Sequence, residues 1–326
     1  MVDVMDEHMT HPEPTALEIA VLQTVLYGDV FDFPLSLEEI HHYLIYPRPI
    51  GVEQVAQILQ QSQWLQDRLC RLNGYYALEG RQTLFERRAA REQATRELLP
   101  VARRYARWIA RMPFVRMVAL TGALAVRSPE HAHDDLDYFI VAAEGRVWLA
   151  RAFAILIVRV GRLFGVEVCP NYVASETALR QRVHNLYLAR EVAQAIPLYG
   201  LAVFEHLRDE NRWVLAILAN ALPVLYPEPE VRLGPGWGML KRACEFVLCG
   251  RLGDALEQWE YRRKYRRFVR EAVSNGSAAR IAPDEIKGHF HDHGRWVLQR
   301  FADRLQSVGL KMPENAANES NHEARD

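Results

Sequence analysis

Apolar positions in the middle of the chain follow two different spacings. Val115–Leu120 and residues 138–141 are short runs rich in Val, Ile, Phe and Leu, which predict two β-strands. Residues 147–164 form a longer stretch that is apolar on most of a helical surface. We therefore predict a strand pair followed by a helix that covers one face of the sheet.

A third strand is predicted over residues 166–174, where Pro170 interrupts the run. Proline has no N–H for the hydrogen-bond ladder, so this strand is expected at a sheet edge. Residues 175–220 show helical spacing of apolar positions. Together these features predict an α/β core over residues 113–230, built on a small mixed sheet.

Capping signals mark helix starts in the first 80 residues. Thr15 with Glu18, and Ser36 with Glu39, follow the Ser/Thr-x-x-Glu pattern of a capping box, and each pair predicts the first turn of a helix. Apolar residues at helical spacing predict a third helix over Val52–Gln61.

A hairpin is predicted directly after these three helices. Asn73-Gly74, the dipeptide favoured in type I′ turns, separates two apolar runs. Three helices followed by a hairpin predict a winged-helix-like domain over residues 1–80, with residues 1–14 disordered.

The remaining segments are predicted to be mainly helical. Residues 81–112 read as a helical connector in which Pro100 marks a kink or a break. Residues 231–310 predict a helical C-terminal region, and residues 311–326 a disordered tail. Within that region, residues 261–270 predict an amphipathic helix with aromatic residues on one side. Its basic side is either a solvated surface or a wall for an anionic acceptor.

Charge is distributed unevenly along the chain. The net charge is −1, but residues 1–80 contain twelve acidic residues and three arginines, so the remainder carries +8. The predicted third helix contains Glu53 and no Lys or Arg. Because DNA binding depends on neutralised phosphates, DNA is not an expected partner of this domain. An anionic partner is expected to meet the later part of the chain instead.

Composition narrows the class of protein. The chain is 49% hydrophobic and 25% charged, as is usual for a globular protein. Its four cysteines are spread out and include no Cys-x-x-Cys pair, which indicates reduced thiols. The acidic N-terminus does not resemble a signal peptide, and the longest apolar run is too short to span a bilayer. We expect a cytoplasmic protein without a membrane partner.

Two acidic residues precede the second strand of the core. Strand alternation places Asp135 and Asp137 on one face, about 7 Å apart, where they can share divalent cations. Gly122 follows the first strand and lets backbone approach closely because it has no Cβ. This combination predicts a place for a metal-bound polyphosphate.

The order of these features resembles the DNA polymerase β-like nucleotidyltransferase superfamily. Gly122-Ala123 matches its phosphate-contacting turn, and Asp135 and Asp137 match its metal-binding Asp-x-Asp pair. The family usually has Ser or Gly where this chain has Ala123, so only the backbone N–H is available at that position. The resemblance implies Mg²⁺ or Mn²⁺ on the acid pair, with a nucleoside triphosphate bound to the cation. It also implies a third carboxylate on a later strand, for which Glu167 is the candidate.

The implied reaction transfers a nucleoside monophosphate from the triphosphate to a hydroxyl group. The acceptor can be a small molecule, a protein side chain or an RNA end. Arg146 and Arg151, at the start of the helix after the second strand, are candidates for a bidentate phosphate clamp. Two alternatives remain open: a non-catalytic nucleotide sensor or scaffold on the same core, and a winged-helix transcription regulator, which the acidic N-terminal domain disfavours.

Overall fold

The computed structural model describes residues 13–275, 281–287 and 293–313, without the side chains of 267–275. Its fold is mixed α/β, with two sheets. The first part contains α1 (Ala16–Asp29), β1 (Leu35–Ser36), α2 (Leu37–His42), α3 (Val52–Gln61), α4 (Gln63–Gln66), β2 (Leu69–Leu72) and β3 (Tyr75–Leu78). The middle part contains α5 (Leu84–Ala110), β4 (Val115–Leu120), α6 (Gly122–Ala125), β5 (Leu136–Ala142), α7 (Val147–Leu163) and β6 (Val168–Ser175). The last part contains α8 (Leu186–Gln194), β7 (Ile196–Tyr199), α9 (Leu201–Glu210), a 3₁₀ helix (Arg212–Ala216), α10 (Pro235–Leu248), α11 (Arg251–Asn275), β8 (Glu285–Lys287) and α12 (His293–Ser307).

The first part has the element order of a winged helix. Both predicted capping boxes are present, with Thr15 and Ser36 each accepting a backbone N–H three residues later. Strands β2 and β3 form the hairpin, and Asn73 and Gly74 both have positive φ, as a type I′ turn requires. Strand β1 adds to β3, so the small antiparallel sheet has the order β1-β3-β2.

The larger sheet has five strands in the order β7-β4-β5-β6-β8. Strands β5 and β6 pair in parallel, and the other pairs are antiparallel. Helices α5 and α7 pack with one face of this sheet in a common apolar cluster. On the opposite face lies a smaller cluster containing Phe139, Leu179 and Phe204.

Three expectations about the core need correction. Strand β6 is not an edge strand, because Tyr172–Ala174 pair with β8, although this pairing does not extend to Pro170. Residues 175–220 are not helical throughout, since β7 lies within them and pairs with β4. Residues 231–310 are not only helical, since β8 joins the sheet of the core.

The connector is one helix of 27 residues that continues through Pro100. It is not a solvated spacer. Its first turns bury Arg88 against the N-terminal domain, and its last turns bury Ala102 and Ile109 in the cluster beneath the large sheet. Helix α12 also packs in the N-terminal core, through Val297, Phe301 and Leu305.

No helix within the described ranges has both the length and the apolar character that crossing a bilayer requires. The expected disorder of residues 1–14 and 311–326 lies mostly outside those ranges.

A buried ion pair joins the two halves of the structure. Arg88 and Glu39 are each only 1% exposed, and an Arg88 nitrogen lies 2.9 Å from Glu39 Oε1. The other oxygen of Glu39 accepts the N–H of Ser36, and Tyr226 donates its hydroxyl to Oε1 at 2.6 Å. Arg88 also donates to the carbonyl of Pro34. One carboxylate thus caps α2, receives α5 and anchors the segment after the core.

Replacing Arg88 with Met should lower the free energy of unfolding by about 3–5 kcal/mol, because Glu39 would remain buried without its cation. Chemical denaturation of the full chain measures this loss. Arg96→Met on the same helix is the matched control, since Arg96 is exposed and bonds only within its own helix, to Gln93. Equal losses in the two variants would contradict the role of the buried pair.

Candidate functional site

The predicted phosphate turn and the predicted acid pair meet at one end of β4 and β5. The N–H of Thr121 donates to the carbonyl of Asp137 at 3.0 Å, which ties the turn to the second strand. Gly122 has φ +66°, and a Cβ at this position would overlap the Oδ2 atom of Asp137. The close approach expected of Gly122 is therefore an approach to the carboxylate itself.

Asp135, Asp137 and Cys169 form a group of potential metal ligands. One ligand atom from each residue lies within 4.8 Å of the other two. Asp135 is exposed, whereas Asp137 and Cys169 are half-buried. The pair is thus compatible with a shared cation, as the strand alternation predicted, and a thiol joins it from β6.

An irregularity in β6 brings two unpredicted residues to the pair. The register shifts between Asp137↔Cys169 and Phe139↔Tyr172, so β6 has an extra residue at this point. Bulges of this kind redirect side chains. Asn171 donates its amide to Asp137 Oδ1, and Tyr172 stacks on Phe139 with ring centroids 4.3 Å apart. Pro170 was the available sequence signal, since proline within a strand often marks a bulge.

Burial and neighbouring charges act strongly on Asp137. Burial raises the pKa of its carboxyl to about 8, and the negative charges of Asp135 and Glu191 act in the same direction. The hydrogen bond from Asn171 opposes this shift but does not reverse it. At neutral pH and without a cation, Asp137 therefore holds a proton.

Cys169 stays a thiol at this site. Burial raises its pKa to about 12, and the charges of Asp135, Asp137 and Glu167 add to the shift. A neutral thiol is a poor ligand for Mg²⁺, which prefers oxygen. The donor set that fits Mg²⁺ or Mn²⁺ is therefore the two carboxylates, with Asn171 orienting one of them.

Glu167 is close to the pair but outside the ligand group. Its backbone carbonyl accepts the N–H of Leu136 at 2.8 Å, and its side chain is exposed. The acid that acts more strongly on Asp137 is Glu191 of α8, whose own pKa is raised by burial. No local pattern in the sequence marks Glu191, because α8 is separated from the acid pair by some fifty residues.

The structure does not bring Arg146 and Arg151 to the acid pair. Arg146 follows the far end of β5, about 17 Å along the strand from Asp137 at 3.3 Å per residue. It donates to the carbonyl of Cys249 at 2.8 Å and pairs with Asp254 at 2.7 Å. Arg151 is largely buried on α7, where it interacts with the charge of Glu260. Both arginines belong to the contact between α7 and α11.

Comparisons of this chain with protein-family models, with curated proteins and with solved structures found no match.

Replacing Asp137 with Asn should raise the melting temperature of the metal-free chain. The pKa of Asp137 is about 8 in the folded chain against an ordinary value of 3.8, so the folded state binds this proton more tightly than the unfolded state. The contribution of Asp137 to stability therefore falls as the pH rises between these values. The advantage of Asp137→Asn should widen across this window, and thermal melts in the presence of a chelator measure it.

Asp134→Asn provides the control for that experiment. Asp134 accepts the N–H of Glu130 and lies outside the ligand group. Mg²⁺ or Mn²⁺ should stabilise the parent and Asp134→Asn by mass action, but not Asp137→Asn. A cation-induced shift that survives in Asp137→Asn would exclude Asp137 as a ligand.

Gly122→Ala should destabilise the chain and weaken its response to Mn²⁺, because the new methyl group displaces the Asp137 carboxylate. Gly145→Ala separates this effect from backbone strain. Gly145 has nearly the same φ, +65°, but no atom lies within 4 Å of a Cβ built there. Gly145→Ala should therefore show only the strain of a positive φ, of order 1 kcal/mol. Equal melting temperatures for the two variants would contradict the close approach.

Proposed function

We propose that this chain is a Mg²⁺- or Mn²⁺-dependent nucleotidyltransferase that moves a nucleoside monophosphate from a triphosphate to a hydroxyl acceptor. The observation that supports this proposal is the contact between Gly122 and the Asp137 carboxylate. It places the small-residue turn and the Asp-x-Asp pair, which are separated in sequence, side by side. The resemblance to the polymerase β-like superfamily requires this juxtaposition.

The residues of the chain divide the work by their chemistry. Asp135 and Asp137 are the ligands of the cation, and Asn171 fixes the orientation of Asp137 by donating to it. A bound cation would neutralise phosphate charge and lower the pKa of the acceptor hydroxyl. Gly122 and the exposed Ala123 present backbone next to the pair, where the phosphates of the nucleotide would lie.

Glu191 supplies negative charge near the pair and is the better candidate than Glu167 for the third acid. Its charge acts directly on Asp137, and it reaches the site from a helix rather than from the strand expected. In this role Glu191 would receive the proton of the acceptor hydroxyl or complete the surroundings of the cation.

A non-catalytic nucleotide sensor on the same core is the second candidate. One observation favours it: the two arginines predicted to clamp phosphate hold α7 to α11 instead. Such a protein would bind the metal-bound nucleotide at Asp135 and Asp137 without turnover.

Incubation of the chain with each α-³²P-labelled nucleoside triphosphate and cell extract tests the proposal. A labelled acceptor should form with the parent and with Asp134→Asn. It should not form when Asp135 and Asp137 are both replaced by Asn. Nucleotide-dependent stabilisation without any labelled acceptor would select the sensor, and label transfer by the double variant would exclude the proposed site.

Ala123→Ser tests whether the turn contacts phosphate. The added hydroxyl should leave nucleotide affinity unchanged or increase it, by up to about 1 kcal/mol for one new hydrogen bond. Calorimetric titration with a nonhydrolysable triphosphate and Mn²⁺ measures the change. A large loss of affinity would show that the turn does not face the phosphates.

A further inference from the structure

Helices α10 and α11 form a hairpin that is attached to the core by polar side chains. Lys241 of α10 is buried and donates to the carbonyls of Ala110 and Val115 at 2.9 and 2.6 Å. Glu245 accepts the N–H of Phe114 and pairs with Arg116 at 2.9 Å. These contacts hold α10 at the junction of α5 and β4 without burying its apolar side chains.

Helix α11 is attached in the same way. Glu257 accepts the N–H groups of Trp148 and Leu149 at 2.8 Å each, and so caps the first turn of α7. Glu260 is also buried, and Asp254 pairs with Arg146. The side of α11 that faces the core is therefore acidic.

The apolar side chains of these helices point to solvent. On α11, Leu252 and Trp259 lie about 100° around the helix from the buried acids, at 3.6 residues per turn. We define the apolar surface as six side chains on α7, α10 and α11 that are between 58% and 82% exposed: Leu163, Phe164, Phe246, Val247, Leu252 and Trp259. Helix α11 contacts both α7 and α10, so the three helices are neighbours.

The sequence analysis expected the opposite arrangement near residue 261, with aromatic residues buried and basic residues in solvent. Tyr261 does pack on Trp148, with ring centroids 5.1 Å apart. Tyr265, however, is 40% exposed. The side chains of Phe268 and Ala272, which completed the expected apolar side, lie outside the described residues.

The apolar surface is bordered by positive charge. Exposed arginines lie on all three helices: Arg159 and Arg162 on α7, Arg242 on α10, and Arg251 and Arg262 on α11. The acids on these helices are engaged in contacts with the core or within α11, as Glu245, Asp254, Glu257 and Glu260 show. A partner of this surface must therefore be apolar at its centre and anionic at its rim.

We propose that this surface docks on the face of a bilayer that contains anionic phospholipids. Trp259, Phe246 and Phe164 insert at the boundary between head groups and acyl chains, and the arginines contact lipid phosphates. The N-terminal 80 residues, with a net charge of −9, are repelled by the same lipids and turn away from them. Docking requires no spanning helix, so it agrees with the lack of one in the described ranges.

A second copy of the chain fits this surface less well. A two-fold contact through the same six side chains would bring arginines of one copy against arginines of the other, and juxtaposed like charges cost several kcal/mol. The N-terminal domain offers no apolar counterpart, since its large exposed apolar residues among those described are Phe31 and Leu72.

Flotation of the full chain with vesicles tests the proposal. The chain should float with vesicles of phosphatidylglycerol and phosphatidylcholine, and bind them less in high salt. It should not float with phosphatidylcholine alone. Phe246→Ser combined with Trp259→Ser should weaken binding at least tenfold, whereas Leu72→Ser should leave it unchanged. All substituted side chains are exposed, so circular dichroism and melting temperature should match the parent.

A charge arm of the experiment separates lipid binding from general stickiness. Arg159→Gln combined with Arg162→Gln should reduce binding to anionic vesicles, whereas Arg96→Gln on α5 should not. The proposal fails if the chain ignores anionic vesicles. It also fails if light scattering shows a dimer that Phe246→Ser with Trp259→Ser converts to a monomer, because a second copy would then be the occupant.

Discussion

The buried pair of Arg88 and Glu39 is the constraint on which the arrangement of the chain depends. Helix α5 runs from the N-terminal domain to the underside of the large sheet, so its direction fixes how the two parts meet. Arg88 determines that direction because its charge can be neutralised in the interior only at Glu39. The rings of Phe33 and Tyr75 lie 4.0 and 4.7 Å from its guanidinium, which excludes water from the pair. A charge buried this completely has no second arrangement of comparable energy.

The same kind of constraint shapes the candidate site on a smaller scale. Asp137 is held between a glycine with no Cβ and the amide of Asn171, next to a second carboxylate. Burial alone would only disfavour its charge, and Asp135 adds repulsion. Such an arrangement is costly for a residue that serves only structure. It becomes favourable when a cation occupies the space between the carboxylates, and this is the physical basis of the proposed metal site.

Local signals in the sequence predicted the elements that local interactions determine. The capping boxes at Thr15 and Ser36, the hairpin turn at Asn73-Gly74 and the strand Val115–Leu120 are all present in the structure. The acid pair and its glycine turn could also be recognised, because spacing along adjacent strands brings them together. The family resemblance and the activity it implies remain predictions.

The missed features depend on contacts between distant residues. The bulge that presents Cys169 and Asn171 arises from pairing between β5 and β6, and Glu191 approaches Asp137 only after α8 has packed. Arg146 was predicted from its place after a strand, but the sequence does not show that Asp254 lies opposite it. The capping pattern identified Glu39 as a helix residue, yet it could not show that its second oxygen receives Arg88 and Tyr226.

The hairpin of α10 and α11 reverses the logic of an ordinary amphipathic helix. Apolar burial is the main favourable term in packing, so a helix attached by buried charges gives up that term and also loses hydration. The cost is visible in the groups themselves: burial lowers the pKa of Lys241 to about 8 and raises the pKa of Glu257. If the surrounding solvent were only water, rotating α11 by a quarter turn would bury Leu252 and Trp259 in place of Asp254 and Glu257. The observed orientation is consistent with an environment in which the outer side chains are also removed from water, so that both sides of the hairpin gain.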